Sequence, residues 1–149
     1  MNEYGSWWDD TITVFNKYTD KTSRKDYWYK TVIENCFYQH TQNEVVVGQA
    51  KIASDVSICR IRINDSFKDK RAWNELNSSE KEHFFTLAPG DVIIAGEVAD
   101  VEVDDYTKGQ RMSDLIAEYK EWPGCFTVKT VSINVGGGRG NEHYLAKGV

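Results

Sequence analysis

The arrangement that most restricts how this chain can fold is a proline-glycine corner followed by a strand, a helix, a strand and a glycine-rich hairpin. The corner is Leu87-Ala88-Pro89-Gly90-Asp91. There Pro presets φ and Gly accepts φ > 0, which is what a type II turn requires. A long strand is predicted from Val92 to about Val103, with Gly96 marking a bulge or a close backbone approach. A helix is predicted from Gln110 to Lys120, with Asp114 in its first turn and Lys120 in its last, both favourable to the macrodipole. Met112, Leu115, Ile116 and Tyr119 recur at helical spacing and form an apolar stripe suited to packing on a sheet. Trp122-Pro123-Gly124 stops the helix, and strands at Phe126–Val135 and His143–Lys147 flank Gly136-Gly137-Gly138. This layout fits a small barrel with one helix laid across it.

The first half adds strands. Thr11–Tyr18 alternates with period two and places Ile12 and Val14 on one face. A polar turn at Thr19–Arg24 leads to a strand from Asp26 to Tyr38 that is partly apolar on both faces, so it is expected to be covered on both sides over part of its length. Thr41–Glu44 reads as a polar break, Val45–Val47 as a short strand closed by Gly48, and Asp55–Asn64 as a clearer strand with one half-polar face. Phe67–Phe85 is polar and irregular, with Trp73 and Leu76 as anchors. Within it, Asn77-Ser78-Ser79-Glu80 suits the start of one short helix running to His83 or Phe84. The expected fold class is mainly β: a six- to eight-stranded barrel or sandwich with one short α-helix packed against it. It forms one domain over residues 1–149, with a flexible N-terminal arm at residues 1–10. A chain of that length buries roughly two thirds of its unfolded surface, enough for a core without staples.

Charge and cysteine usage narrow the functions. Eighteen basic against 23 acidic residues leave a net charge of −5. Lys21-Arg24-Lys25 and Lys68-Lys70-Arg71 are scattered in polar stretches and read as solvated loops, so phosphate-neutralising nucleic-acid binding is disfavoured. Cys36, Cys59 and Cys125 lie far apart in apolar or β-like runs and read as buried small hydrophobes, without a CxxC pair. Neither a secretory leader nor an apolar run of about 20 residues is present, so the expectation is a protein made in a reducing cytoplasm, without membrane contact. His40, His83 and His143 lack metal-ligand spacing, although Cys36 and His40 are close enough in sequence to share an ion. There is no GxSxG elbow. The chain is therefore expected to be non-enzymatic and to hold no metal or cofactor.

Three constellations remain as candidate sites. Gly136-Gly137-Gly138-Arg139-Gly140-Asn141 lacks the Lys-Ser/Thr and the following helix of a phosphate loop, and reads as a hairpin tip able to order on a neighbouring subunit. In the acidic set Glu97, Asp100, Glu102, Asp104 and Asp105, the residues Asp100, Glu102 and Asp104 share a strand face opposite Val101 and Val103. That face is a solvated strand end or, repeated around a ring, a lumen lining along which DNA slides without specific binding. The aromatic pair Trp7-Trp8 and the run Tyr27-Trp28-Tyr29 suit a β-core, a subunit interface or a sugar-stacking platform.

Several stretches together resemble small proteins from the structural gene block of tailed phages and prophages of Gram-positive bacteria. They are Trp8-Asp9-Asp10-Thr11-Ile12-Thr13-Val14-Phe15-Asn16-Lys17-Tyr18, Trp28-Tyr29, Asn35-Cys36-Phe37, Leu87–Ile93, and Val131-Ser132-Ile133-Asn134 with the glycines, His143-Tyr144 and Gly148. The closing pattern is similar to head-completion (stopper) proteins of long-tailed phages, which are small β-barrels. The resemblance covers nearly the whole chain and implies a cyclic homo-oligomeric ring in the virion neck, a head-tail connector assembled after synthesis in the bacterial cytoplasm. Such a ring closes the DNA channel and supports tail attachment, with portal-adaptor and tail-terminator proteins as partners; tail-terminator and minor capsid roles fit the same residues. A closed ring requires two different sticky patches per subunit. The candidates are Trp7 and Trp8 on one side and Gly136, Gly137, Gly138, Arg139, Gly140 and Asn141 on the other. The alternative is a monomeric carbohydrate- or peptide-binding β-module using exposed aromatics.

Overall fold

The computed structural model describes residues 8–47, 50–62, 65–98, 103, 111–119, 124–134 and 143–148, with side chains described for all of these except 41–55 and 134. The strands are β1 (Asp10–Thr19), β2 (Asp26–Val47) and β3 (Ala50–Arg62). Two short helices follow, α1 (Lys70–Asn74) and α2 (Ser78–Lys81), and then β4 (Val92–Ala95), α3 (Met112–Tyr119), β5 (Cys125–Asn134) and β6 (His143–Gly148). The six strands close a barrel in the order β1-β2-β3-β6-β5-β4, with β4 returning to β1. Every pairing between neighbouring strands is antiparallel. The expected barrel is therefore six-stranded, and closure removes most strand edges from solvent.

Two apolar clusters lie on opposite sides of the β1/β4 wall. Ile12 and Val14 of β1 and Ile93 of β4 point into the barrel. There they meet Cys36, Cys59, Ile61, Phe85, Leu87, Phe126, Val128, Tyr144 and Ala146. Phe15, Val92 and Ile94 point outward and are covered by Met112 and Leu115 of α3, with Ile116 and Tyr119 alongside. The helical stripe thus packs on the sheet as its spacing predicts. It also explains why β1 is buried on both faces from Ile12 to Asn16.

The proline-glycine corner forms as expected. Gly90 has φ +99° and Asp91 N–H donates to the Ala88 carbonyl at 3.1 Å. Beyond it the structure departs from the sequence reading. The strand opened by Val92 is four residues long and ends at Gly96, whose φ of +92° turns the chain out of the ladder. Thr13 Oγ1 then clasps the departing backbone, donating to the Gly96 carbonyl at 2.8 Å and accepting from Val98 N–H at 2.9 Å.

The stretch from Phe67 to Phe85 holds two helices where one was expected. α2 starts within the expected Asn77-Ser78-Ser79-Glu80, with Asn77 rather than a serine as its cap in a reciprocal pair with Glu80, while α1 is capped by Asp69, whose carboxylate accepts from Ala72 N–H. Both helices are anchored by Trp73, which is fully buried edge-on to Tyr18 and Tyr29, with ring centroids at 6.2 and 5.5 Å. The amines of Lys70 and Lys81 lie over its ring at 4.8 and 5.4 Å. Lys81 also donates to the Asn74 and Leu76 carbonyls at the end of α1, so a buried lysine ties the two helices together. Burial holds the pKa of both lysine amines below the ordinary lysine range.

A polar network holds the corner onto β1. Asp91 is fully buried, and its carboxylate accepts from Lys17 N–H at 2.9 Å, Ala88 N–H at 2.9 Å and Asn16 Nδ2 at 3.0 Å. Asn16 also donates to the Thr86 carbonyl at 2.5 Å and accepts from Thr86 N–H at 3.3 Å. Burial raises the Asp91 pKa; the Lys17 N–H bond, the nearby Lys70 charge, and the Asn16 and Ala88 bonds oppose that rise.

Candidate assembly interface

Among the described residues, strand edges lack a strand partner beyond the pairing of β3 with β6 and along the second half of β5, where strands outrun their neighbours. Over its first half β2 pairs with β1, ending at Asp10↔Cys36, and over its second half it pairs with β3 from Phe37↔Arg60 onward. β3 in turn meets β6 only from Ser57 to Arg62. From Thr41↔Val56 to Val47↔Ala50 the two strands therefore pair with each other alone among the described residues. At about 3.3 Å per residue, those seven pairs make a two-stranded ribbon reaching roughly 23 Å past the barrel. The polar break expected at Thr41–Glu44 is absent: β2 is one strand of 22 residues, and β3 begins at Ala50 rather than Asp55.

The second open edge belongs to β5. Its first residues, Cys125–Thr127, pair with β4, and Val128 still exchanges bonds with the corner through Gly90 N–H and the Asp91 carbonyl. Lys129 is the extra residue at the register shift between Val128↔Gly148 and Thr130↔Lys147, and from Thr130 to Asn134 the strand is paired only on its β6 side among the described residues. Lys129, Thr130 and Ser132 are exposed there, and Ile133 is the most exposed large hydrophobic described, at 59%.

The residues singled out in the sequence fall differently. Trp8 is buried in its own chain, edge-on to His143 with ring centroids 5.4 Å apart, and the Arg62 guanidinium lies over its ring at 4.7 Å. It is packed against the barrel rather than carried on a free arm. His143 opens β6 directly after the glycine run and pairs with both Asn134 and Arg62. Two of the sequence candidates, the N-terminal tryptophan and the base of the glycine hairpin, thus meet at one end of the sheet. Trp7, the run Gly136, Gly137, Gly138, Arg139, Gly140, Asn141 and the acidic residues Asp100, Glu102 and Asp104 lie outside the described residues.

The aromatic run on β2 is engaged within the chain. Trp28 packs beside the cluster under α3 with the Lys17 amine 6.0 Å from its ring, and Tyr29 packs on Trp73. Tyr27 is the exposed member, at 41%. His40 and Ser57 face each other across β2 and β3, with Nδ1 2.7 Å from Oγ. Ser57 is 1% exposed, so this contact fastens the ribbon at its root and leaves the hydroxyl inaccessible to a substrate. The three cysteines are reduced and buried. Burial pushes the Cys36 thiol up to about 12, and the Cys59 thiol is also raised, far from the thiolate a nucleophile needs. Among the described residues no group of three His, Cys, Asp or Glu side chains is placed to hold a metal ion. None of the described helices is long and apolar enough to cross a membrane.

What the arrangement offers is backbone chemistry. Among the described residues three outer edges, those of β2 and β3 in the ribbon and that of β5, are without a strand partner and open to strand addition, on a scaffold that closure otherwise seals.

Residues 7–149 match a family of unknown function, DUF6751. No curated protein and no solved structure matches the chain.

Proposed function

We propose that this chain, which belongs to the DUF6751 family, is a non-enzymatic structural subunit of a bacteriophage neck: a head-completion protein that forms a cyclic homo-oligomer between portal adaptor and tail. The observation that carries the reading is the ribbon of β2 and β3, projecting from a closed barrel with unpaired edges. A two-stranded ribbon is marginal in water on its own and gains stability from a third strand, so a subunit that keeps one is built to add to something. The open β5 edge supplies a second and different surface, as the heterologous contacts of a ring require. The resemblance of the sequence to head-completion proteins of long-tailed phages supports a neck subunit, with tail-terminator and minor capsid roles fitting the same residues. A net charge of −5 suits a ring through which DNA passes without being held.

Electron microscopy of induced lysates from a host whose copy of this gene is deleted tests the assignment. Separate heads, filled or leaking DNA, beside free finished tails are the expected result. Normal joined particles would remove the protein from the neck.

A further inference from the structure

We infer that the subunits join head to tail by strand addition, with the outer edge of the β2 ribbon segment of one copy pairing with the outer edge of β5 in the next. This deepens the ring reading above and rests on it. The two edges belong to the outer strands of one run, β2-β3-β6-β5, the β2 edge lying beyond the level at which β3 meets β6 and the β5 edge within it. Joining them extends the same sheet from one copy into its neighbour and leaves each copy with one donor and one acceptor edge. Repetition of that contact gives a ring when the rotation closes.

Charge selects a second copy of this chain as the occupant, and β2 rather than β3 as the donor. Thr41–Val47 contains a single charged residue, Glu44, and Lys129–Asn134 contains a single charged residue, Lys129, of opposite sign. Ala50–Val56, the other outer edge of the ribbon, carries both Lys51 and Asp55 and has no net preference. Apolar residues also match: the donor ends in Val45-Val46-Val47, and the acceptor presents Ile133 at 59% exposure. Opposite charges on facing strands stabilise a pairing and like charges weaken it, each by a modest amount that recurs at every contact around a ring.

The test uses the full chain and charge reversal. Native mass spectrometry and light scattering should show a cyclic oligomer for the unaltered protein. E44K and K129E should each weaken assembly roughly tenfold per contact, with thermal melts of the dissociated subunits unchanged. The double variant E44K/K129E should assemble again. Mixing the two single variants should also restore association. The β2 edge of the E44K variant, now basic, then faces the β5 edge of the K129E variant, now acidic. If either single variant assembles like the unaltered protein, or neither the double variant nor the mixture recovers, the edge pairing is wrong while the ring stands. A protein that stays monomeric up to its solubility limit would overturn the ring reading, and the edge pairing with it.

Discussion

Asp91→Ala is the substitution whose effect follows most directly from the geometry. The carboxylate accepts three hydrogen bonds, from Lys17 N–H and Ala88 N–H at 2.9 Å and from Asn16 Nδ2 at 3.0 Å, in a fully buried position. Each buried donor left without an acceptor costs about 1–3 kcal/mol, and relief of the buried charge offsets part of the sum. A net loss of about 3–5 kcal/mol is expected near neutral pH, or roughly 10 °C in Tm for a chain of this size. Thermal and urea melts followed by circular dichroism measure it. The pH dependence gives a second, independent check. Burial raises the Asp91 pKa from its ordinary 3.8, so the folded protein binds that proton more tightly than the unfolded chain. The favourable contribution of protonation is full below the unfolded pKa and disappears as pH rises through the folded one. The stability gap between the unaltered protein and Asp91→Ala should therefore narrow as pH rises above about 4. A loss under about 1 kcal/mol at neutral pH would refute the three-bond account. A gap that widens with rising pH would show that the bonds lowering the pKa outweigh burial.

Gly148 lies where an added Cβ would come within 1.8 Å of the Thr127 carbonyl oxygen, so Gly148→Ala should destabilise the β5/β6 pairing by about 3 kcal/mol or more, read as a lowered urea midpoint. The Tyr38 hydroxyl is buried beside Ser57 without a well-aligned hydrogen bond, and Tyr38→Phe should change stability by no more than about 1 kcal/mol in the same melts. A clear loss would reveal a partner for that hydroxyl. Cys36 and Cys59 are fully buried, and burial pushes Cys36 up to about 12. Both should resist thiol reagents in the folded protein and react once it is unfolded in urea; labelling at the folded rate of a free thiol would contradict the burial. Trp8→Ala should lower the monomer's melting temperature, because the ring packs on His143 and under Arg62; an unchanged melt with weakened assembly would make Trp8 an interface residue instead.

How much of this was legible in the sequence depends on the range of the interaction that decides each element. The Pro89-Gly90 corner, the Asn77/Glu80 cap and the stripe of α3 were readable because turns, caps and helix faces are set within a few residues. The length of β4 was not. Gly96 is compatible with a bulge inside a longer strand or with its end, and the clasp by Thr13, 83 residues away, decides between them. The path of β2 was harder still. Strict alternation places Ile33 and Cys36 on opposite faces, yet both belong to the barrel core. Asn35, at φ +59°, inserts one extra residue between the Ile12↔Ile33 and Asp10↔Cys36 pairs and turns the later side chains inward.

That bulge bears on the path of β2 as well as the core. It falls where β2 leaves β1 and passes to β3, well before the two-stranded ribbon begins at Thr41↔Val56. A reading by parity alone ends the strand near Tyr38 and takes Thr41–Glu44 for a loop, because those polar residues show no apolar alternation. Beyond the level at which β3 meets β6 the ladder runs on through these polar residues with no third strand among those described, and apolar alternation is not required of it there. Gly48 and Gln49, the two residues between Val47 and Ala50, were the one local indication of a hairpin. The proposed assembly surface was obscured for that reason: the apolar alternation that reveals the rest of the fold is missing along Thr41–Glu44. The same reasoning covers β5, where Lys129, Thr130, Ser132 and Ile133 are exposed along a strand that reads as ordinary half-buried sheet. In sequence both edges pass for loop and surface, and only the register shows that each is without a strand partner among the described residues.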